Sequence, residues 1–283
     1  MANSLQQVAW IGQSEAAAHR GVLAQCAGVE LTCLDPSGLA DAVSFDAVIT
    51  ACANEAELRA VALGPHGVLR RARPGLLYIE SSHIGEDLSR EIAALARSAG
   101  VRYLRAPVTR PPVSASGDAP FTAMVSGPQE VFDAARPLIE GFAGKIVYLG
   151  QDEEARAMTR VLDVMSGVTL AMWTEALVFG EAVGLDWHAM LNVMETSAIG
   201  SPLIKGHTAG VTARDFSSSP RCGDMTERLA AAVKYGKSTG TVLTLTGLAH
   251  QMYLGALHKF GADADETAII PWLEDACGQR PSL

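Results

Sequence analysis

Apolar and polar positions follow two textures along this chain, and the change comes near its middle. In the first half, short apolar runs alternate with amphipathic stretches. "QVAWIG", "VELTCLD", "FDAVITACA", "GLLYIESS", "VRYLRAPV", "FTAMVSG" and "KIVYLG" read as buried strands. Helical spacing fills the gaps, over about residues 15–27 and in "NEAELRAVALG", "GEDLSREIAALARSAG" and "PQEVFDAARPLIEGF". Asn54 stands where a helix cap is needed, and Gly100 where a helix must stop. This alternation predicts an α/β domain with a parallel sheet and right-handed crossovers.

After Gly150 the strand signal fades. Residues 152–184 keep helical periodicity without a break, and further helices are expected over 186–197, 223–240, 241–261 and 265–276. The segment "GSPLIKGHTAGVTARDFSSSP" reads as loop. The expected organisation is an α/β domain over 1–150 followed by an all-α domain over 151–283.

Composition narrows the function classes. With 283 residues, 48% of them hydrophobic and 19% charged, the chain can bury a full core. Its net charge is −9 and no Lys or Arg run stands out, so neither nucleic acid nor an anionic membrane surface is an expected partner. Five cysteines, an odd number without metal-like spacing, read as reduced thiols in a cytoplasmic protein. "MANSLQQVAW" lacks a basic start followed by an apolar core, and no apolar stretch is expected to span a bilayer.

Candidate chemistry gathers at predicted strand ends. "VAWIGQSEAAAHRG" is a strand entering a helix through Gly12, Gln13 and Ser14, where a dinucleotide site keeps a glycine-rich turn. Gly12 keeps the turn and Ala17 is tolerated at the third place. Ser14 puts a side chain where a pyrophosphate approaches, and Glu15 adds repulsion. Asp35 ends the next strand, where an acid can hydrogen-bond ribose hydroxyls. It favours NAD over NADP, and equally reads as part of an Asp-Pro-Ser-Gly turn. In "RAPVTRPPVSASG" the prolines fix a rigid path that presents Thr109 and the Arg110 fork to an anionic group, or leaves Arg110 as a solvated loop charge. Ser82 and His83 end another strand, His83 as a candidate proton donor or a structural histidine.

These segments, in order, resemble the β-hydroxyacid dehydrogenase family, which takes in 3-hydroxyisobutyrate dehydrogenases and relatives of 6-phosphogluconate dehydrogenase. "VAWIGQSEAA" resembles its opening strand and loop, and "IESSHI" its "ID-x-S-T-I" segment. "RAPVTRPPVSASGDAPFTAMVSG" is similar to its "DAPVSGG" region, "TEALVFGEAVGLD" to "AEALALGEKAGLD", and "GADADETAII" to its C-terminal close. The resemblance implies a Rossmann domain, an all-helical domain, and a homodimer or homotetramer. It implies NAD- or NADP-linked oxidation of a small anionic hydroxy acid, or reduction of its carbonyl form.

The resemblance also marks departures. The family's catalytic Lys falls on Thr159 and its substrate-orienting Asn on Asp163, which share a helix face. Threonine cannot replace lysine as an acid–base group. A cofactor-side "K-D-L" matches Glu227 to Leu229, with both charges reversed, and the Asp of "DAPV" is Arg105. Three readings stay open. The first is a working oxidoreductase using Thr159, Asp163 and His83. The second is a non-redox descendant, and the third an imine-reductase-like enzyme. The cofactor contacts are then Gly12, Gln13, Ser14, Asp35 and Glu227, and the substrate contacts Thr109, Arg110 and Ser82.

Overall fold

The computed structural model describes residues 6–12, 28–35, 39, 44–109, 121–217 and 220–278. The chain divides into two compact units, 1–159 and 160–283.

The described part of the first unit holds an eight-stranded sheet. Its strands are β1 (Gln7–Ile11), β2 (Glu30–Leu34), β3 (Ala47–Thr50), β4 (Leu77–Glu80), β5 (Arg102–Arg105), β6 (Val108–Thr109), β7 (Phe121–Ser126) and β8 (Ala143–Gly150). They lie in the order β2-β1-β3-β4-β5-β7-β6, with β8 paired to β7 off this path. The pairs among β2, β1, β3, β4 and β5 are parallel, and β7 runs antiparallel to β5 and β6. The parallel sheet expected from the alternation is thus present over five strands, and an antiparallel strand, β7, is added at its end. Only eleven residues, 110–120, join β6 to β7, fewer than the dozen or so that the crossover of a parallel pair needs.

Side chains alternate between two buried faces. Val8, Trp10, Ile49, Leu77 and Ile79 enter one core, Ala9, Ile11, Val48 and Tyr78 the other. The helix α4 (Gln129–Glu140) covers the first face through Val131, Phe132, Ala135, Leu138 and Ile139. The second is covered by α1 (Glu55–Leu63), α2 (Val68–Arg71) and α3 (Glu86–Ser98). Asn54 caps α1, its Oδ1 accepting from Glu57 N at 2.9 Å.

The helix α5 (Glu154–Ala182) begins in the first unit and continues in the second. The second unit adds α6 (Trp187–Thr196), α7 (Pro202–Thr212), α8 (Cys222–Thr239), α9 (Thr244–Phe260), a 3₁₀ turn (Glu266–Ala268) and α10 (Ile269–Ala276). Leu170, Trp173, Leu177, Leu229, Tyr253 and Ile270 centre its core. Here the expected loop over 200–220 is corrected, since most of its described part is α7. Ser201 caps that helix, accepting from Ile204 N at 3.3 Å, Pro202 fits its first turn, and Ile204 and Val211 anchor it in the core. The expectation about bilayer-spanning stretches is corrected too. By length and composition α5 could cross a membrane, although 44% of its apolar window is buried inside the protein, and a core helix passes the same test.

Candidate active site

The strand order reverses direction between β1 and β3, and in doubly wound sheets ligands bind at the carboxyl ends beside such a switch point. Gly12 stands there with φ +103. A Cβ at this position would collide with the carbonyl of Ala51 at the end of β3, so no other residue fits. The backbones meet directly, Ala51 N donating to Ile11 O at 2.8 Å. Asp35 is exposed just past β2. This bare backbone approach, with an acid one strand away, fits the adenosine half of a dinucleotide. Gln13, Ser14 and the expected helix after them lie outside the described residues.

The next strand ends are tied together. Cys52 N donates to Ser82 Oγ at 2.9 Å, and Ser81 N to Thr50 O at 2.8 Å. Burial pushes the Cys52 thiol up to about 12, with Glu57 nearby adding to the shift, so it stays neutral. Ser82 N donates to Glu80 Oε1 at 2.5 Å, and Arg156 Nη1 donates to Ser82 O at 2.7 Å. Glu80 and Arg156 form an ion pair, both side chains wholly buried. The amide, carbonyl and hydroxyl of Ser82 are thus all held from within the protein, which makes Ser82 a fixed point of the frame. His83, next along, is exposed.

Thr159 is buried, and its hydroxyl donates to Arg156 O at 2.7 Å, a bond back to its own helix. Arg105 pairs with Glu153 and donates to Ser89 Oγ at 3.0 Å, so its charge serves the interior. Thr109 is half-buried in β6, while Arg110 lies outside the described residues.

In the second unit Asp163 belongs to a charge chain that is buried at Arg160, Asp163 and Glu266 and partly buried at Arg228 and His207. Arg160 Nη1 meets its carboxylate at 2.7 Å and Arg228 Nη1 at 4.0 Å. Arg228 also reaches Glu266 at 3.3 Å, and Glu266 meets His207 Nε2 at 3.2 Å. Glu227, the neighbour of Arg228, is exposed. The five lysines, Lys145, Lys205, Lys234, Lys237 and Lys259, lie outside α5, which contains none.

The sequence pattern alone gives no role to Glu80, Arg156, Arg160, His207 or Glu266. The missed signal was a single charge inside an otherwise apolar run. Glu80 ends the strand "LLYIE" and Arg156 starts an apolar helix, and such residues are buried only in pairs.

Residues 6–150 match the NAD binding domain of 6-phosphogluconate dehydrogenase, and residues 154–273 match the NAD-binding region of NADP-dependent 3-hydroxyisobutyrate dehydrogenase. The chain belongs to the β-hydroxyacid dehydrogenase family. An L-threonate dehydrogenase of Cupriavidus necator is 26% identical over 84% of this chain and 80% of its own length. The 3-hydroxyisobutyrate dehydrogenase of Salmonella typhimurium superposes with a TM-score of 0.81 at 21% identity, covering 94% of this chain and 99% of that one. The Mycobacterium tuberculosis 3-hydroxyisobutyrate dehydrogenase, solved with L-serine, gives 0.78 at 25% identity over 95% and 99%. Family membership makes this β-hydroxyacid dehydrogenase relative an NAD(P)-dependent oxidoreductase.

Proposed function

We propose that the chain interconverts a small hydroxy acid and its carbonyl form with NAD(P), with NAD favoured by Asp35. The observation that carries this reading is the unbroken match of both halves to NAD-binding regions, with Gly12 packed bare against Ala51 at the switch point. Gly12, Gln13, Ser14 and Asp35 would hold the dinucleotide, whose nicotinamide gives or takes the hydride. Thr109 and Arg110 would hold the acid group. His83, exposed at the end of β4, is the candidate proton-transfer group, because Thr159 is bonded to its own helix and Asp163 is ion-paired.

Nicotinamide fluorescence on titration with NADH and NADPH tests this reading. Saturation at micromolar NADH, followed by turnover of L-threonate or 3-hydroxyisobutyrate, supports it. No binding at millimolar cofactor would end it. The lysine-free α5 favours a second reading, a descendant that has kept the fold for binding. Saturable NADH binding without turnover of any hydroxy acid would select that one. Replacing Arg110 by Ala should weaken anionic ligands far more than neutral ones.

We also place the protein in the cytoplasm as a homodimer or homotetramer. The four described cysteines are free thiols, which suits a reducing compartment. The second unit exposes Val161, Met165, Met172 and Phe179 along one side of α5, and that stripe suits a second copy.

A further inference from the structure

We propose that the Glu80–Arg156 ion pair is a positioning device for the reaction, holding the carboxyl end of β4, with Ser82 and His83, in register with the first turns of α5. The proposal rests on the oxidoreductase reading above. Both charges are wholly buried. Burying two ions is costly, and an apolar pair of similar volume usually serves stability as well or better. Stability alone therefore gives little reason for the pair.

Direction gives a better one. Beyond Glu80 the strand has ended, and the peptide of Ser82 has no ladder partner among the described residues. The pair supplies both missing partners. Glu80 Oε1 takes the Ser82 amide at 2.5 Å, and Arg156 Nη1 gives to the Ser82 carbonyl at 2.7 Å. The Ser82 hydroxyl then takes Cys52 N from the end of β3, and the carbonyl of Arg156 takes the Thr159 hydroxyl. One connected chain of hydrogen bonds thus runs from β3 through the β4 end to α5. His83 follows a residue whose amide, carbonyl and hydroxyl are all held, so the direction of its backbone is set. Salt in solution cannot screen this pair as it would a surface one. A misplacement of about 1 Å at a reacting group can cost about 100-fold in rate.

The test uses the whole protein carrying Glu80→Gln with Arg156→Met. The glutamine keeps an acceptor for the Ser82 amide and the methionine keeps bulk, while the buried charges and the hold on the Ser82 carbonyl are gone. We expect a folded protein whose Kd for NADH stays within about 3-fold, whose kcat falls about 100-fold, and whose amides over 82–84 exchange faster. Arg156→Lys should recover part of kcat. Unchanged kcat with unchanged exchange over 82–84 would overturn the proposal, as would losses of kcat and NADH affinity in equal measure. Should the double variant fail to fold, Glu80→Asp and Arg156→Lys read the same split between kcat and Kd. Should the wild type turn over no hydroxy acid, the oxidoreductase reading fails by itself. Exchange over 82–84 still decides whether the pair holds this segment.

Discussion

Arg214 combines an unusual backbone with a demanding side chain. It is the one described non-glycine residue with positive φ, at +54, just past the end of α7. Its guanidinium meets Glu274 with two bonds, at 2.6 and 2.5 Å, and lies 5.1 Å from the Trp187 ring and 5.5 Å from that of Phe216. Glu274 is almost wholly buried. Arg214→Ala should therefore leave a buried carboxylate unpaired and cost about 3 kcal/mol. Arg214→Gly should cost about 1 kcal/mol less, because glycine takes this φ freely. Urea unfolding followed by tryptophan fluorescence measures both. Equal costs for the two would refute the backbone share.

Thiols give a second test at this scale. Burial pushes Cys222 up to about 11 and Cys52 to about 12, whereas Cys33 and Cys277 are exposed. The thiolate is the reacting form. In a Cys26→Ser background at pH 8, a disulfide reagent should label Cys33 and Cys277 within minutes, and Cys52 and Cys222 only after unfolding. Mass mapping of the labelled peptides reads the result. Residue-level chemistry was the least legible part of the sequence. Thr159 and Asp163 could be placed on one helix face by spacing alone. That Arg228 also reaches Asp163, and Arg156 the carbonyl of Ser82, depends on partners far away in sequence, which no local pattern reveals.

Elements were far more legible, because periodicity and caps are local. Asn54 and Gly100 mark helix ends by their own chemistry, and β1, β3 and β4 stand out as short, mostly apolar runs. The sequence failed where local signals conflict. In α7, glycines and threonines dilute the apolar spacing, so "PLIKGHTAGVT" resembles loop until Ser201, Pro202, Ile204 and Val211 are read together. The antiparallel β7 was hidden because strand direction depends on connection length, not on strand composition. A helix this poor in propensity should lean on its cap. Ser201→Ala is expected to lower the stability of the second unit by about 1 kcal/mol, and Ser201→Asp to leave it nearly unchanged. Urea midpoints of the two variants decide whether the cap matters.

At the scale of the whole molecule, α5 raises the question of where its apolar surface goes. Leu170, Trp173 and Leu177 face the core of the second unit. Val161, Met165, Met172 and Phe179 lie at i, i+4, i+11 and i+18, which brings them within one narrow sector of the helix, and all are more than half exposed. A membrane span would be apolar all round, whereas α5 starts with Arg156, Arg160 and Asp163 and exposes Glu175. A long single stripe is the pattern of a helix meeting another protein surface. Two copies related by a twofold axis can match it, since each presents the same self-complementary strip. Met165→Glu combined with Phe179→Glu would put four carboxylates into such a seam. The double variant is expected to run as a monomer in light scattering where the wild type runs as at least a dimer, with its circular dichroism retained. A wild type that is monomeric at high micromolar concentration would leave the stripe unexplained and sink the assembly.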